Sequence, residues 1–134
     1  MAINWTEDLR VGVDTIDNQH KELFDRINKL LDACNQGKGK GEIGRVINFL
    51  EDYIIVHFNA EEEIQKRNAY PDYPHHKTLH EEFKKSFSEL KKQFEKEGPG
   101  VHLILRTNST VVDWLIKHIG RVDKELGAFL KTKI

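Results

Sequence analysis

Cysteine is nearly missing from this chain of 134 residues, with Cys34 the only one. A lone thiol cannot close an internal disulfide, so nothing in the composition asks for an oxidising compartment. An excess of one charge is missing as well. The 21 lysines and arginines stand against 22 aspartates and glutamates, a net charge of −1. That balance excludes the basic face selected by nucleic acids and anionic membranes. No stretch approaches the ~20 apolar residues needed to span a bilayer. Met1 to Gly12 carries Glu7 and Asp8 and no apolar run, so no signal peptide is expected there. The expectation is a cytoplasmic monomer with no nucleic-acid and no membrane partner.

Proline is equally scarce, and its three positions fall in breaks of the chain. Gly37, Gly39 and Gly41 form one break, Pro71 and Pro74 a second, and Gly98, Pro99 and Gly100 a third. No window shows sustained strand-type alternation, and there is no internal repeat. What is present, at 38% hydrophobic and 32% charged residues, suits one globular domain with a real core. The breaks leave four stretches whose apolar residues recur every three or four positions, the spacing of one helix face. They cover about residues 17–36 (Leu23, Phe24, Ile27, Leu30, Leu31, Cys34), 42–68 (Ile43, Val46, Ile47, Leu50, Ile54, Phe58, Ile64), 75–97 (Leu79, Phe83, Phe87, Leu90, Phe94) and 101–131 (Ile104, Val111, Leu115, Val122, Leu126, Phe129). Thr15 or Asp17 is expected to cap the first. Short loops between such helices favour antiparallel neighbours, which predicts an all-α, up-down-up-down four-helix bundle. Residues 1–16, with Trp5, Leu9, Val11, Val13 and Ile16, are expected to form an N-terminal arm packed on it.

Histidine, at 7 residues, is the unusual part of the composition. A helix turns about 100° per residue, so positions three, four and seven apart share a face. His20 continues the stripe of Leu23 and Ile27. His57 follows Ile54 and Leu50, and Glu61 lies four beyond it. His76 and His80 lead into Phe83, and His118 follows Leu115 and Val111. Five histidines and a glutamate therefore occupy core-facing positions spread over all four helices. His75 is turned about 100° from His76, and His102 about 160° from His118, so both are expected at the surface. Glu62 and Glu63 are expected to be solvated, because the four-residue step favours Glu61.

A single inward histidine is usually a hydrogen-bonded core residue, and one His-x-x-x-His pair is common by chance. Five imidazoles and a carboxylate in one interior are different, because hydrogen bonds alone would satisfy them at great cost. A metal centre satisfies them together. One tetrahedral zinc needs four ligands, fewer than this set offers. A nitrogen- and carboxylate-rich set without thiolates suits iron or manganese better than copper or nickel. The Glu-x-x-His pattern of ferritin-like di-iron proteins is absent, and so is His-Glu-x-x-His, since Lys77 follows His76.

As a set, Ile16-Asp17-Asn18-Gln19-His20-Lys21, His57-Phe58 with Glu61-Glu62, Tyr70-Pro71 followed by His76 and His80, and Trp114-Leu115 with His118-Ile119 and Asp123 resemble the bacterial hemerythrins. The resemblance runs from about Trp5 to Leu130. It implies a single hemerythrin-like domain over 1–134 that binds dioxygen reversibly at two irons, as a carrier, store or sensor and not as an enzyme. By the same resemblance His76, His80 and His118 would ligate one iron and His20 and His57 the other. Glu61 and Asp123 would bridge them together with an oxo or hydroxo group. On two six-coordinate irons that set leaves one position open, on the iron with two histidines, for dioxygen or a small anion. Asp123 rests on the resemblance alone: five residues after His118 it lies about 140° around a regular helix, and Gly120 is expected to permit a local distortion. Leu23, Phe58, Trp114 and Leu115 would line an apolar dioxygen pocket. Gln65 departs from the family, where methionine is common, and is expected to alter packing without ligating. Two other functions use the same residues: a di-iron enzyme acting on peroxide or nitric oxide, and an iron-buffering protein. The first needs a polar acid–base group beside the open position, and the sequence identifies none.

Overall fold

The computed structural model describes residues 3–133, so the first two residues of the expected arm lie outside the described residues. Three long helices come first: α1 (Asp14–Asn35), α2 (Lys40–Arg67) and α3 (Tyr73–Glu97). A fourth helical run, α4, is continuous over 101–131. It is α-helical at Val101–Arg106, Asp113–Lys117 and Lys124–Lys131, and π-helical at Thr107–Val112 and His118–Asp123. There is no strand among the described residues. α1 packs on α2 and α4, and α3 packs on the same two, which closes a bundle of four antiparallel helices.

The apolar stripes meet along the bundle axis. Leu23, Ile27 and Leu30 from α1, Ile43, Ile47 and Leu50 from α2, Phe83, Phe87 and Leu90 from α3, and Val111 and Leu115 from α4 are all buried. Each such side chain contributes about 1.5–3 kcal/mol on leaving water. The buried polar side chains follow a different pattern. The buried histidines, carboxylates and Gln65 sit early in α1 and α3 and late in α2 and α4, and alternating helix direction brings these four regions to one level.

The helix ends correct one expectation. α1 begins at Asp14, after Val13, so neither Thr15 nor Asp17 caps it. Asp17 lies inside the helix, and its carboxylate accepts the Val11 N–H at 2.8 Å and the Gly12 N–H at 3.2 Å. It ties down the arm. Asn28 holds the arm's other end, accepting from the Ile3 N–H at 2.8 Å and donating to the Ile3 carbonyl at 2.7 Å. At Gly127 on α4 a Cβ would collide with the Val11 carbonyl, so the arm's close approach requires glycine there. α2 ends in a Schellman turn: the Tyr70 N–H reaches the Gln65 carbonyl and the Ala69 N–H that of Lys66, with Ala69 at φ 53°.

Candidate metal centre

All seven sequence-proposed ligands are buried at the polar level of the bundle. His20, His76, His80 and Glu61 are fully inaccessible, and His57, Asp123 and His118 nearly so. They fall into two overlapping groups. His76, His80 and His118 gather with Glu61 and Asp123, and His20 and His57 gather with the same two carboxylates.

The carboxylate oxygens divide between these groups. Glu61 Oε1 faces His76 Nε2 at 2.9 Å and His80 Nε2 at 3.3 Å, while Oε2 faces His57 Nε2 at 3.4 Å and His20 Nε2 at 3.8 Å. Asp123 Oδ1 faces His76 and His118 at 3.0 and 3.1 Å, while Oδ2 faces His20 at 3.0 Å. Each carboxylate thus presents one oxygen to either side. All five imidazoles turn Nε2 inward.

Asp123 reaches this position because α4 is π-helical from His118 to Asp123. Hydrogen bonds from i to i+5 widen the turn, so the residue five along comes back over its starting point. Gly120 lies within this turn but is not sterically required. A Cβ there meets nothing within 4 Å, and Gly120 is not among the positive-φ glycines. The expected distortion is present, and its need for glycine is not.

Charge balances within the cluster. Burial lowers the basicity of His20 and His76, but the negative charge of the facing Asp123 and Glu61 carboxylates outweighs it and holds both imidazoles up at about 9. His57 goes the other way, to about 4, because burial exceeds the pull of Glu61. Burial also opposes ionisation of the two carboxylates. The surrounding imidazoles, His118 foremost for Asp123, hold both well below the usual carboxylate range.

Two residues that orient the rings escaped the sequence reading. His57 Nδ1–H donates to Gln19 Oε1 at 2.7 Å, and His80 Nδ1–H donates to Glu62 Oε2 at 2.8 Å. Glu62 is therefore not solvated, as expected from spacing, but buried against α3. Each lies next to a core-facing residue and points at the neighbouring helix. That flanking position was the available signal. Glu63, His75 and His102 are exposed, as the spacing predicts.

Of the four expected pocket residues, Leu23, Phe58 and Leu115 are buried and Trp114 half-buried. Phe58 stacks on His80 at 3.8 Å between ring centres, and Trp114 stacks on His118 at 4.4 Å. These two aromatics cover the three-histidine group, and Phe58 also reaches His57 at 5.8 Å. Outside His118 a groove of about 560 Å³ opens between Leu79, Trp114, Lys117 and Arg121.

The donor set fits a metal pair on a test internal to the structure. Both oxygens of Glu61 and of Asp123, with His20 Nε2 and His80 Nε2, are buried without a hydrogen-bond partner, although they lie within a few ångströms of one another. Groups left unsatisfied in this way are very costly unless a cation takes their lone pairs.

An antiparallel four-helix bundle with a buried histidine–carboxylate cluster defines a metal-binding helical protein. The family is equally defined. Residues 11–130 match the hemerythrin HHE cation binding domain, and the chain belongs to that family. It is 35% identical over 131 residues to the bacteriohemerythrin of Methylococcus capsulatus, covering 97% of this chain and 98% of that protein. It is 38% identical over 120 residues to that of Pseudomonas aeruginosa, covering 89% of this chain and 75% of that one. A crystal structure of wild-type hemerythrin superposes with a TM-score of 0.85 at 34% identity, over 97% of this chain and 98% of that one.

Proposed function

We propose that this chain binds dioxygen reversibly at a non-haem di-iron centre. His76, His80 and His118 would hold one iron and His20 and His57 the other, with Glu61 and Asp123 bridging. The observation that carries this reading is the division of each carboxylate's two oxygens between the two imidazole groups. A single ion does not use such an arrangement. When bound, the iron pair would supply the electrons that hold dioxygen and recover them on its release.

The chain's own residues supply position and exclusion. Gln19 and Glu62 fix the His57 and His80 rings and keep their protons on Nδ1, leaving Nε2 free to ligate. Phe58 and Trp114 cover the three-histidine side. Leu23 and Leu115 would wall an apolar pocket beside the open position, keeping out the water and acid that promote irreversible oxidation.

The ligands come from all four helices, which favours one hemerythrin-like domain over 1–134. Its partners would be dioxygen and small anions, and it would act as a cytoplasmic monomer. No helix among the described residues is long and apolar enough to cross a membrane. The test is to load the protein with iron, reduce it, expose it to air and then apply vacuum. A coloured charge-transfer band that forms and reverses, with two irons per chain, is expected. A single tightly held zinc would sink the di-iron reading. Irreversible oxidation with turnover of peroxide or nitric oxide would replace the carrier by an enzyme.

A further inference from the structure

Gln65 is a full amide at 0% exposure, and neither its oxygen nor its nitrogen has a hydrogen-bond partner. An amide stranded in a core is destabilising enough to need an explanation. Among the described residues, the other buried unpartnered side-chain atoms are Trp5 Nε1, both His20 nitrogens, both oxygens of Glu61 and of Asp123, His80 Nε2 and His76 Nδ1. A metal pair between the two groups would satisfy the inward-facing Nε2 and carboxylate atoms. It leaves Trp5 Nε1, His20 Nδ1, His76 Nδ1 and the Gln65 amide. An indole N–H only donates, and an imidazole ligating through Nε2 carries its proton on Nδ1, so all three nitrogens can only donate. Gln65 Oε1 is the one acceptor in this remainder.

Bundle geometry selects the donor. Glu62 on α2 accepts from His80 on α3. Gln65 lies three residues after Glu62, and His76 four residues before His80. Because the two helices are antiparallel, both steps move one turn in the same direction along the bundle. Gln65 and His76 are therefore the next rung of the same ladder. A second link runs through the backbone: the Gln65 carbonyl accepts the Tyr70 N–H at 3.0 Å, and the Tyr70 ring meets His76 edge-on at 6.4 Å. His20 stands on α1, with its ring edge against His57 at 4.8 Å.

We propose that Gln65 is a positioning residue for His76, its Oε1 accepting the His76 Nδ1–H hydrogen bond through one buried water. This rests on the metal-centre reading above. A water between two buried polar groups beyond direct reach satisfies both. The consequence is chemical as well as structural. His80 donates to a carboxylate, which draws its Nδ1 proton strongly and makes the ring a better metal donor. His76 donates toward a neutral amide and is the weaker donor of the two. Gln65 thus sets an asymmetry between ligands of the same iron.

The test uses the full chain with ¹⁵N-labelled histidine, as the parent and as Gln65→Leu, Gln65→Met and Gln65→Glu. NMR of the metal-free protein should show a slowly exchanging His76 Nδ1–H in the parent, fast exchange in the Leu and Met variants, and recovery in Gln65→Glu. The Met variant, closest in volume, decides the matter if Gln65→Leu does not fold. In the iron-loaded protein, Gln65→Leu should bind iron about 10-fold more weakly. Its midpoint potential should rise, and that of Gln65→Glu should fall, because a carboxylate acceptor stabilises the oxidised metal. A merely structural role would not move the two potentials in opposite directions. If Gln65→Leu raises the melting temperature and leaves His76 exchange unchanged, the amide is unpaired and the proposal is overturned. A chain that takes up no iron would end the metal-centre reading, while the metal-free NMR would still decide Gln65.

Discussion

Glu61 and Glu62 are adjacent on one helix, yet they do different work. Glu61 divides its oxygens between two sets of imidazoles, and Glu62 accepts from the far nitrogen of one of them. Helical spacing separates them correctly into a residue aimed at the axis and one beside it. It does not reveal that the second is buried, because burial there depends on His80 arriving from α3. The role of Glu62 is open to test. Glu62→Ala should weaken iron binding roughly 10–100-fold in a chelator competition, and Glu63→Ala, at an exposed position, should leave it unchanged. Among the histidines, alanine at His76 or His80 should release iron, whereas alanine at His75 or His102 should not. Equal loss from all four would contradict the burial seen here. Leu115→Ala, at a position 1% exposed, should cost about 2–5 kcal/mol of stability. With iron content matched to the parent, it should also speed azide entry. Unchanged azide kinetics would place the pocket elsewhere.

Among the elements, α4 is where periodicity alone fails. The regular-helix angle sets Asp123 off the face of His118, and only family resemblance nominated it. The π turn from His118 to Asp123 supplies the missing rotation. Gly120 is exposed, free of steric neighbours and outside the positive-φ set, so the turn does not depend on it. Gly120→Ala should therefore gain up to ~1 kcal/mol in thermal unfolding from helix propensity, with iron content unchanged. Loss of iron in that variant would show that the π turn needs glycine after all. α1 teaches a related point about ends. Asp17 has the chemistry of a cap and makes cap-like bonds, but to the arm's N–H groups at Val11 and Gly12. Where the preceding chain folds back decides which donors a carboxylate meets.

For the molecule as a whole, the cluster makes stability depend on pH when metal is removed. His20 and His76 sit at about 9 in the fold, above the ordinary 6.5. Their contribution is complete below about 6.5 and is lost as pH rises through about 9. His57 sits at about 4 and stays neutral when folded, so it disfavours the fold increasingly as pH falls from 6.5 through 4. Glu61 and Asp123, held low, add a further loss in stronger acid. The metal-free protein should be most stable near pH 6.5 and weaken on both sides. Urea unfolding at about pH 5, 6.5 and 9.5 checks this. Iron should abolish the alkaline limb, since a ligating Nε2 carries no proton. A metal-free profile that climbs steadily to pH 9.5 would show that the carboxylates do not hold His20 and His76 protonated.

Helix content, the bundle's order, the inward face of each helix and six of the seven clustered donors follow from spacing in the chain. The physical reason is that a regular helix converts sequence distance into angle without help from the rest of the molecule. The aims of Gln19 and Glu62, the burial of Gln65, the seat of Asp17 and the turn that delivers Asp123 do not follow in that way. Each is set by what another helix, or the folded-back arm, places opposite it, and no local period encodes a partner forty residues away. Local rotation was legible from the residues; mutual position was settled only when four helices packed.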